Sequence, residues 1–109
     1  MRIFVDMDGV IATISLGKYD EAKPIQKNID LVNRLHENGN EIIIWTSRGS
    51  KERIDWSETT KKQLNEWGVR YDKISFNKPH YDMLIEDKSF NPGEKSIDDQ
   101  INYCRGLIY

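Results

Sequence analysis

Two aspartates near the start of the chain are spaced so that both could act on one small ligand. Asp6 and Asp8 follow the apolar run Ile3–Val5 and are separated by a single residue. Residues two apart in an extended chain point to the same side, and adjacent carboxylates repel unless a cation or a shared proton intervenes. The pair suits Mg²⁺ binding, or a nucleophilic aspartate that attacks phosphorus beside a second acid. The alternative at this stage is an acidic pair that simply ends a strand at the surface.

A second polar cluster follows the apolar run Ile42–Trp45 and consists of Thr46, Ser47 and Arg48. A hydroxyl group together with a backbone N–H could hold a phosphoryl oxygen at this point. The Arg48 guanidinium could bind a phosphate with two parallel hydrogen bonds. A turn or helix-capping hydroxyl and a solvated arginine are the alternatives.

Two more clusters lie further along the chain. Lys78 precedes Pro79, whose ring restricts the local backbone, and its ammonium could neutralise both a nucleophile and a transferred phosphoryl group. Glu86 and Asp87 offer the hard oxygen ligands that Mg²⁺ prefers. A surface lysine and a charged strand end are the alternatives for these residues.

The elements that must position these clusters can be predicted from hydrophobic periodicity. Short apolar runs predict four strands, at Ile3–Val5, Ile42–Trp45, Lys73–Phe76 and Met83–Ile85. Helical spacing predicts a helix from Ile25 to Asn38, a second from a Ser57 cap to Gly68, and a third over Ser96–Cys104. Residues 9–24 read as a loop that could contain a small hairpin.

This order of elements predicts an α/β fold with a single Rossmann-like parallel sheet and helices on both of its faces. Ligands of such open sheets bind beyond the carboxyl ends of the strands. Each of the four polar clusters follows one of the predicted strands. We therefore expect four separate stretches of chain to converge on one site.

Composition limits the classes of function. With 109 residues the chain is long enough for one domain, 1–109, and the 38% hydrophobic and 31% charged residues are ordinary for a globular protein. A net charge of −2 gives no electrostatic basis for binding nucleic acid or an anionic membrane. Cys104 is the single cysteine, which excludes an intrachain disulfide. The first apolar run is too short for a signal peptide or a membrane span, so we expect a cytoplasmic protein.

At these residues the sequence resembles the haloacid dehalogenase (HAD) superfamily of phosphohydrolases. Asp6-Met7-Asp8-Gly9-Val10 is similar to its first motif, Thr46 to its second, Lys78 to its third and Glu86-Asp87 to its fourth. The resemblance implies that Asp6 is the nucleophile and Asp8 the general acid/base. It also implies Mg²⁺ held by the Asp6 carboxylate, the Asp8 main-chain carbonyl and an acid of the fourth motif, Asp87 before Glu86. An Asp-Asp pair is commoner where this chain has Glu86-Asp87.

A narrower resemblance is to the small capsule-biosynthesis phosphatases of that superfamily. It is carried by the segments Gly17–Pro24, Trp45–Gly49 and Lys78–Asp82, and by Trp56 with Thr60 and Gln63-Leu64. The resemblance implies a sugar or polyol phosphate, a precursor of surface polysaccharide, as substrate. Candidate substrate contacts are Tyr19, Lys23, Ser47, Arg48 and Trp56, although Tyr19 and Trp56 could equally anchor loops by apolar burial.

The lengths of two connecting segments bear on access to this site. Larger members of the superfamily carry a cap domain after the first motif or between the second and third. Residues 10–24 and 49–77 are too few for such a domain. We therefore expect an open site, closed at most by the loop 11–23, which either accepts a bulky substrate or borrows a lid from another subunit of a homo-oligomer.

Other function classes fit the sequence less well. A phospho-receiver signalling domain carries its phosphorylated aspartate after the third strand, where this chain has Phe76-Asn77, and its acidic pair after the first strand is adjacent rather than spaced. A dehalogenase has no use for Asp8 as a proton donor. A catalytically inactive phosphate-binding module would not require all of Asp6, Asp8, Thr46 and Lys78. A phosphomutase shares the first step, but an open site favours water as the acceptor.

Overall fold

The computed structural model describes residues 1–50, 53–92 and 97–108. Over these residues the strands are β1 (Arg2–Asp6), β2 (Glu41–Trp45) and β3 (Lys73–Ser75), and the helices are α1 (Gln26–Glu37), α2 (Ser57–Glu66) and α3 (Ile97–Ile108), with a 3-10 turn at Tyr19–Glu21. The strands form a parallel sheet in the order β1-β2-β3. The prediction of a small α/β fold with a parallel sheet is confirmed.

The register of the sheet brings the ends of its strands to one level. Asp6 of β1 lies opposite Trp45 of β2, and Trp45 lies opposite Ser75 of β3. Because all three strands run in the same direction, the loops that leave them start side by side. We call this set of loops, which follow Asp6, Trp45 and Ser75, the carboxyl edge.

A core on one face of the sheet holds the carboxyl edge in place. Ile42 and Ile44 of β2 are fully buried and belong to one cluster with α1 and α2 side chains. The α1 members are Ile29, Val32 and Leu35, and the α2 member is Leu64. Their helical spacing is the one that the sequence indicated for α1. Burial of this apolar surface is the main favourable term that fixes the strands relative to α1.

The predicted fourth strand at Met83–Ile85 is wrong. The segment has no strand structure, and the residues Met83, Leu84 and Ile85 are 77%, 54% and 91% exposed. An apolar run becomes a strand only where it gains a hydrogen-bonded partner and buried neighbours, and within the described residues the sheet consists of β1, β2 and β3. A local pattern of three apolar residues cannot specify either requirement.

The start of α2 and the end of α3 differ from the sequence prediction. Ser57 is the first residue of α2 rather than its cap, and its N–H donates to an Asp55 carboxylate oxygen at 2.9 Å. Hydrogen bonds from Ser57 lower the pKa of Asp55. The helix predicted over Ser96–Cys104 is α3, which runs on to Ile108, while Ser96 itself lies outside the described residues. In the part of the chain that the structure describes, no helix has the length and apolar character needed to cross a bilayer.

The loop after β1 is tied to α1 by a buried asparagine. The Asn28 side-chain amide of α1 donates to the Val10 carbonyl at 2.9 Å, and Asn28 is buried. We expect Asn28→Ala to lower the free energy of unfolding by about 1–3 kcal/mol, because the Val10 carbonyl then lacks its donor. Chemical denaturation measures this change.

The matched control is Asn65→Ala on the exposed side of α2, which gains the same helix propensity without losing a buried hydrogen bond. Equal stability changes in the two variants would contradict the anchoring role of Asn28.

Candidate active site

Asp6 at the end of β1 forms an ion pair with a buried lysine. Its Oδ1 lies 3.3 Å from Lys78 Nζ and accepts a hydrogen bond from the Met7 N–H at 2.9 Å. Burial raises the pKa of Asp6 although Lys78 and the Met7 N–H act in the opposite direction, and the nearby charge of Asp8 raises it further. The negative charge of this carboxylate is therefore only partly compensated by the protein, and another cation at this position would be favourable.

Lys78 is buried, which is rare for a lysine. It is 7% exposed, and its Nζ lies 5.3 Å from the Trp45 ring centroid and 5.2 Å from that of Tyr81. Its backbone N–H donates to the Thr46 carbonyl, and the Trp45 indole N–H donates to the Asn77 side chain at 2.8 Å. Two aromatic faces and one carboxylate thus fix the direction of the ammonium group.

The turn after Met7 sets the position of Asp8. Met7 is fully buried, and its carbonyl accepts hydrogen bonds from the N–H groups of Ile11 and Ala12 at 3.0 and 2.9 Å. Gly9 has a φ of +92°, a conformation that L side chains rarely adopt, and its N–H donates to the Ala12 carbonyl at 2.7 Å. The chain can therefore turn directly after Asp8. In the sequence, the two aspartates flank the buried Met7.

The Arg48 guanidinium binds the Asp8 carboxylate rather than facing an open phosphate site. Its Nε lies 3.0 Å from Asp8 Oδ2 and its Nη2 lies 2.8 Å from Asp8 Oδ1. Its Nη1 donates to the Thr60 hydroxyl at 3.0 Å and to the Gln63 side-chain oxygen at 2.6 Å. The Arg48 side chain is 0% exposed. The parallel hydrogen bonds that the sequence suggested for a phosphate are made to a carboxylate of the same protein.

Of the predicted substrate contacts, Tyr19 packs against this arginine and Trp56 packs against Tyr19. The Tyr19 ring lies over the guanidinium with its centroid 4.8 Å from the Arg48 central carbon. The Trp56 and Tyr19 ring centroids are 5.1 Å apart, and the Tyr19 carbonyl accepts a hydrogen bond from the Gln63 amide at 2.6 Å. Lys23 is exposed; its N–H donates to the Thr13 hydroxyl at 2.9 Å and its carbonyl accepts from the Thr13 N–H at 2.8 Å. Tyr19 and Trp56 are thus part of the cluster, and the structure does not bring Lys23 into it.

Thr46 and Ser47 begin the loop after β2. Thr46 is 1% exposed, its N–H donates to the Ser75 carbonyl at 3.0 Å, and its hydroxyl oxygen accepts from the Arg48 N–H at 3.2 Å. That bond uses the hydroxyl as an acceptor, so its hydrogen can still be donated to a ligand oxygen. Ser47 is half-buried, and its carbonyl accepts from the Ser50 N–H.

An open cavity adjoins the arginine on the side of the loop after β2. It has a volume of about 310 Å³, and Arg48, Ser50, Arg53, Trp56 and Phe76 are among its lining residues. The buried Trp56 indole N–H has no hydrogen-bond acceptor among the described residues. Two of the predicted substrate contacts, Arg48 and Trp56, therefore line a space large enough for a small ligand.

Glu86 and Asp87 are not brought into this cluster. Both are exposed; a Glu86 carboxylate oxygen accepts from the Lys88 N–H at 2.9 Å, and the Asp87 carbonyl accepts from the Gln100 amide at 3.5 Å. Within the described ranges, no three acidic, histidine or cysteine side chains are grouped closely enough to hold a metal ion. The structure thus assembles three of the four predicted clusters.

The oxygen atoms at the carboxyl edge nevertheless suit Mg²⁺. Proteins commonly hold this ion through one or two carboxylates, with waters and substrate phosphates as the other ligands, rather than in a cage of side chains. Asp6 supplies a carboxylate whose charge is only partly compensated. The backbone hydrogen bonds of the turn end on the Met7 and Ala12 carbonyls, so they do not occupy the Asp8 carbonyl.

No role in the site was assigned from the sequence to the residues that surround the two cations. Trp45 and Tyr81 enclose Lys78, and Thr60 and Gln63 are the α2 partners of Arg48. The signal for the second pair was present, because residues three apart share a helix face. Thr60 and Gln63 lie on the same face of α2 as the buried Leu64, and polar residues on a buried face indicate a polar partner inside the protein.

Comparison with known proteins supports the fold. No protein-family model and no curated protein sequence matches the chain. A crystal structure of an MCSG target from Vibrio cholerae is similar to it, with a TM-score of 0.81 and 22% identity over 97% of this chain and 98% of the other. The name of that protein states no activity. At this level of identity the similarity concerns the fold.

Proposed function

We propose that this protein is a phosphomonoester hydrolase that uses Asp6 as its nucleophile. The observation that carries the proposal is the pairing of Asp6 Oδ1 with the buried Lys78 Nζ at 3.3 Å, at the carboxyl edge of a parallel sheet. Ligands of open parallel sheets bind at this edge. A buried lysine beside a partly compensated carboxylate is suited to hold an incoming phosphate dianion next to its nucleophile.

The proposed reaction has two steps. An Asp6 oxygen attacks phosphorus and forms an aspartyl-phosphate, the bond from phosphorus to the leaving oxygen breaks, and Asp8 gives its proton to the departing alkoxide. Water then attacks phosphorus, Asp8 takes up a proton from it, and the bond to Asp6 breaks to release inorganic phosphate. Lys78 offsets negative charge throughout, and the Thr46 hydroxyl donates to a phosphoryl oxygen.

The resemblance to the HAD superfamily supports the same assignment. The motif residues Asp6, Asp8, Thr46 and Lys78 lie in the loops of the carboxyl edge or at the end of β1. We propose accordingly that the fold is HAD-like and Rossmann-like, with helices on both faces of the sheet and no cap domain. The segment between Asp8 and α1 is a loop with a single 3-10 turn, in agreement with an open site.

We propose Mg²⁺ as the cofactor, held by the Asp6 carboxylate, the Asp8 carbonyl and an acid of the pair Glu86-Asp87. The ion would neutralise negative charge on the phosphoryl group. Asp87 is the first candidate for the third protein ligand, and Glu86 is the second or an outer-sphere partner. This assignment requires the segment around Asp87 to approach Asp6 when the ion binds.

Removal of divalent cations should silence the enzyme, and titration with Mg²⁺ should restore activity. We expect Asp87→Asn to raise the Mg²⁺ concentration for half-maximal rate by roughly 10- to 100-fold, because one charged ligand is lost. The rate of phosphate release across a Mg²⁺ titration of chelated protein gives this value. Glu86→Gln is the matched control and should shift the titration less. Full activity in the chelated wild type, or equal shifts in the two variants, would contradict the assignment.

The proposed substrate class is a sugar or polyol phosphate, a precursor of surface polysaccharide, hydrolysed in the cytoplasm. This class rests on the narrower resemblance to capsule-biosynthesis phosphatases. Release of inorganic phosphate from a panel of sugar, polyol and nucleotide phosphates tests both the activity and the class. Phosphate release from none of the panel, nor from an aryl phosphate, would overturn the proposed function.

The structure gives less support to a phospho-receiver domain. Such a domain requires its phosphorylated aspartate at the end of the third strand. Here β3 ends at Ser75 and is followed by Phe76 and Asn77. The acidic residues lie instead after β1, which is an edge strand of the sheet formed by the described residues.

A further inference from the structure

Arg48 is the most completely enclosed charged side chain of the candidate site. Its guanidinium makes hydrogen bonds to Asp8, Thr60 and Gln63, and the Tyr19 ring covers it at 4.8 Å. A side chain with 0% exposure and protein acceptors on Nε, Nη1 and Nη2 has little freedom to bind a phosphate. Its chemistry is directed at the Asp8 carboxylate.

The acceptors of Arg48 come from different parts of the chain. Asp8 follows β1, and Thr60 and Gln63 belong to α2, while Arg48 itself follows β2. Gln63 also donates to the Tyr19 carbonyl, which fixes the 3-10 turn at Tyr19–Glu21 to the same helix. The guanidinium therefore joins the loop after β1 to α2, and Gln63 joins the same helix to the 3-10 turn.

We infer that Arg48 is a positioning residue that holds the Asp8 carboxylate in the orientation needed for proton transfer, rather than a residue that binds the substrate phosphate. This inference rests on the proposed function. A bidentate guanidinium–carboxylate pair fixes both the position and the plane of the carboxylate. A proton-transfer group must lie within hydrogen-bond reach of the leaving oxygen, and a misplacement of about 1 Å can cost roughly 10²-fold in rate.

The two roles of Arg48 predict different kinetics. If Arg48 positions Asp8, Arg48→Lys should lower kcat by roughly 10- to 100-fold with KM nearly unchanged, because lysine cannot reproduce the two parallel bonds. If Arg48 binds the substrate phosphate in ground state and transition state alike, KM should rise instead while kcat is retained. Arg34→Lys on the exposed side of α1 is the matched control and should behave as wild type.

A double-mutant cycle gives the sharpest test. Once Asp8 is replaced by asparagine there is no proton-transfer group left to position, so Arg48→Lys should add little to the loss in Asp8→Asn. Thr60→Val is a milder second variant, since it keeps Arg48 and the side-chain shape but removes one acceptor of Nη1. We expect it to lower kcat several-fold with KM unchanged, and circular dichroism should confirm that each variant is folded.

The outcomes distinguish a failure of the positioning role from a failure of the proposed function. An active wild type whose Arg48→Lys variant keeps kcat, or raises KM alone, contradicts the positioning role and leaves the proposed function standing. Fully additive losses in the double mutant also contradict it. A wild type that hydrolyses no phosphate overturns the proposed function and the inference together.

Discussion

Asp6→Asn should abolish hydrolysis of an aryl phosphate, with a loss in kcat of at least about 10³-fold, since the attacking oxygen anion is replaced by a neutral amide that cannot form an aspartyl-phosphate. The substitution preserves the side-chain shape. The amide oxygen can still accept from the Met7 N–H and from Lys78, the two contacts that orient Asp6. The measurement is the steady-state release of p-nitrophenol from p-nitrophenyl phosphate.

The control for this variant is Asp20→Asn, which removes an exposed acid from the nearby 3-10 turn. It should hydrolyse the aryl phosphate at the wild-type rate. Near-wild-type thermal unfolding of Asp6→Asn would establish that the loss is chemical. An Asp6→Asn variant that hydrolyses the aryl phosphate at the wild-type rate would rule out Asp6 as the nucleophile.

The positions of α1 and β2 could be predicted because their part of the core is encoded locally. The run Ile42–Trp45 is apolar on both faces, as expected for an interior strand, and β2 is the middle strand. Ile29, Val32 and Leu35 repeat at helical spacing and are the buried face of α1. Both sequence patterns agree with the structure because each reflects which side chains are buried.

The failures have a common physical cause. Met83–Ile85 has the composition of a strand, yet whether it pairs depends on distant residues that a short segment cannot specify. Likewise serine is a common helix-capping residue, but Ser57 is the first residue of α2 and its N–H donates a hydrogen bond to the Asp55 carboxylate. In both cases residues outside the local pattern decide the outcome.

The partner of Arg48 could not be chosen from the sequence either. A guanidinium binds carboxylate and phosphate with the same planar geometry, so the residue type is compatible with both roles. Only the fold places Asp8 Oδ1 at 2.8 Å from Nη2, and Thr60 and Gln63 within reach of Nη1. By contrast, the convergence of Asp6, Asp8, Thr46 and Lys78 was predictable, because parallel strands end at one edge.

This arrangement gives the two aspartates different environments. The Asp6 carboxylate is paired with the Lys78 ammonium through one contact at 3.3 Å, whereas the Asp8 carboxylate is held by two parallel bonds from a fully buried guanidinium. A nucleophile must approach phosphorus and later release it, and a proton-transfer group must keep one position through both steps. The less restrained pair therefore falls on the proposed nucleophile, and the more restrained pair on the proposed acid/base.

Asp8→Asn is the second variant for which we expect a large loss of activity. Asparagine can neither protonate an alkoxide nor take a proton from water, so steady-state turnover should fall by roughly 10²- to 10⁴-fold. The first step should survive with p-nitrophenyl phosphate, because nitrophenolate leaves without a proton. Rapid-mixing experiments should therefore show a burst of nitrophenolate no larger than the amount of enzyme, followed by slow turnover.

The burst should be accompanied by a phosphoryl adduct on Asp6, detectable by mass spectrometry of acid-quenched protein. An alkyl phosphate should give neither burst nor adduct, since its leaving alkoxide needs the proton that asparagine cannot supply. Asp30→Asn, an exposed acid of α1, provides the comparison with normal turnover. Steady turnover of both substrates by Asp8→Asn would remove Asp8 from proton transfer. The two steps of the mechanism would then need another acid/base, while the outcome for Asp6→Asn would be unaffected.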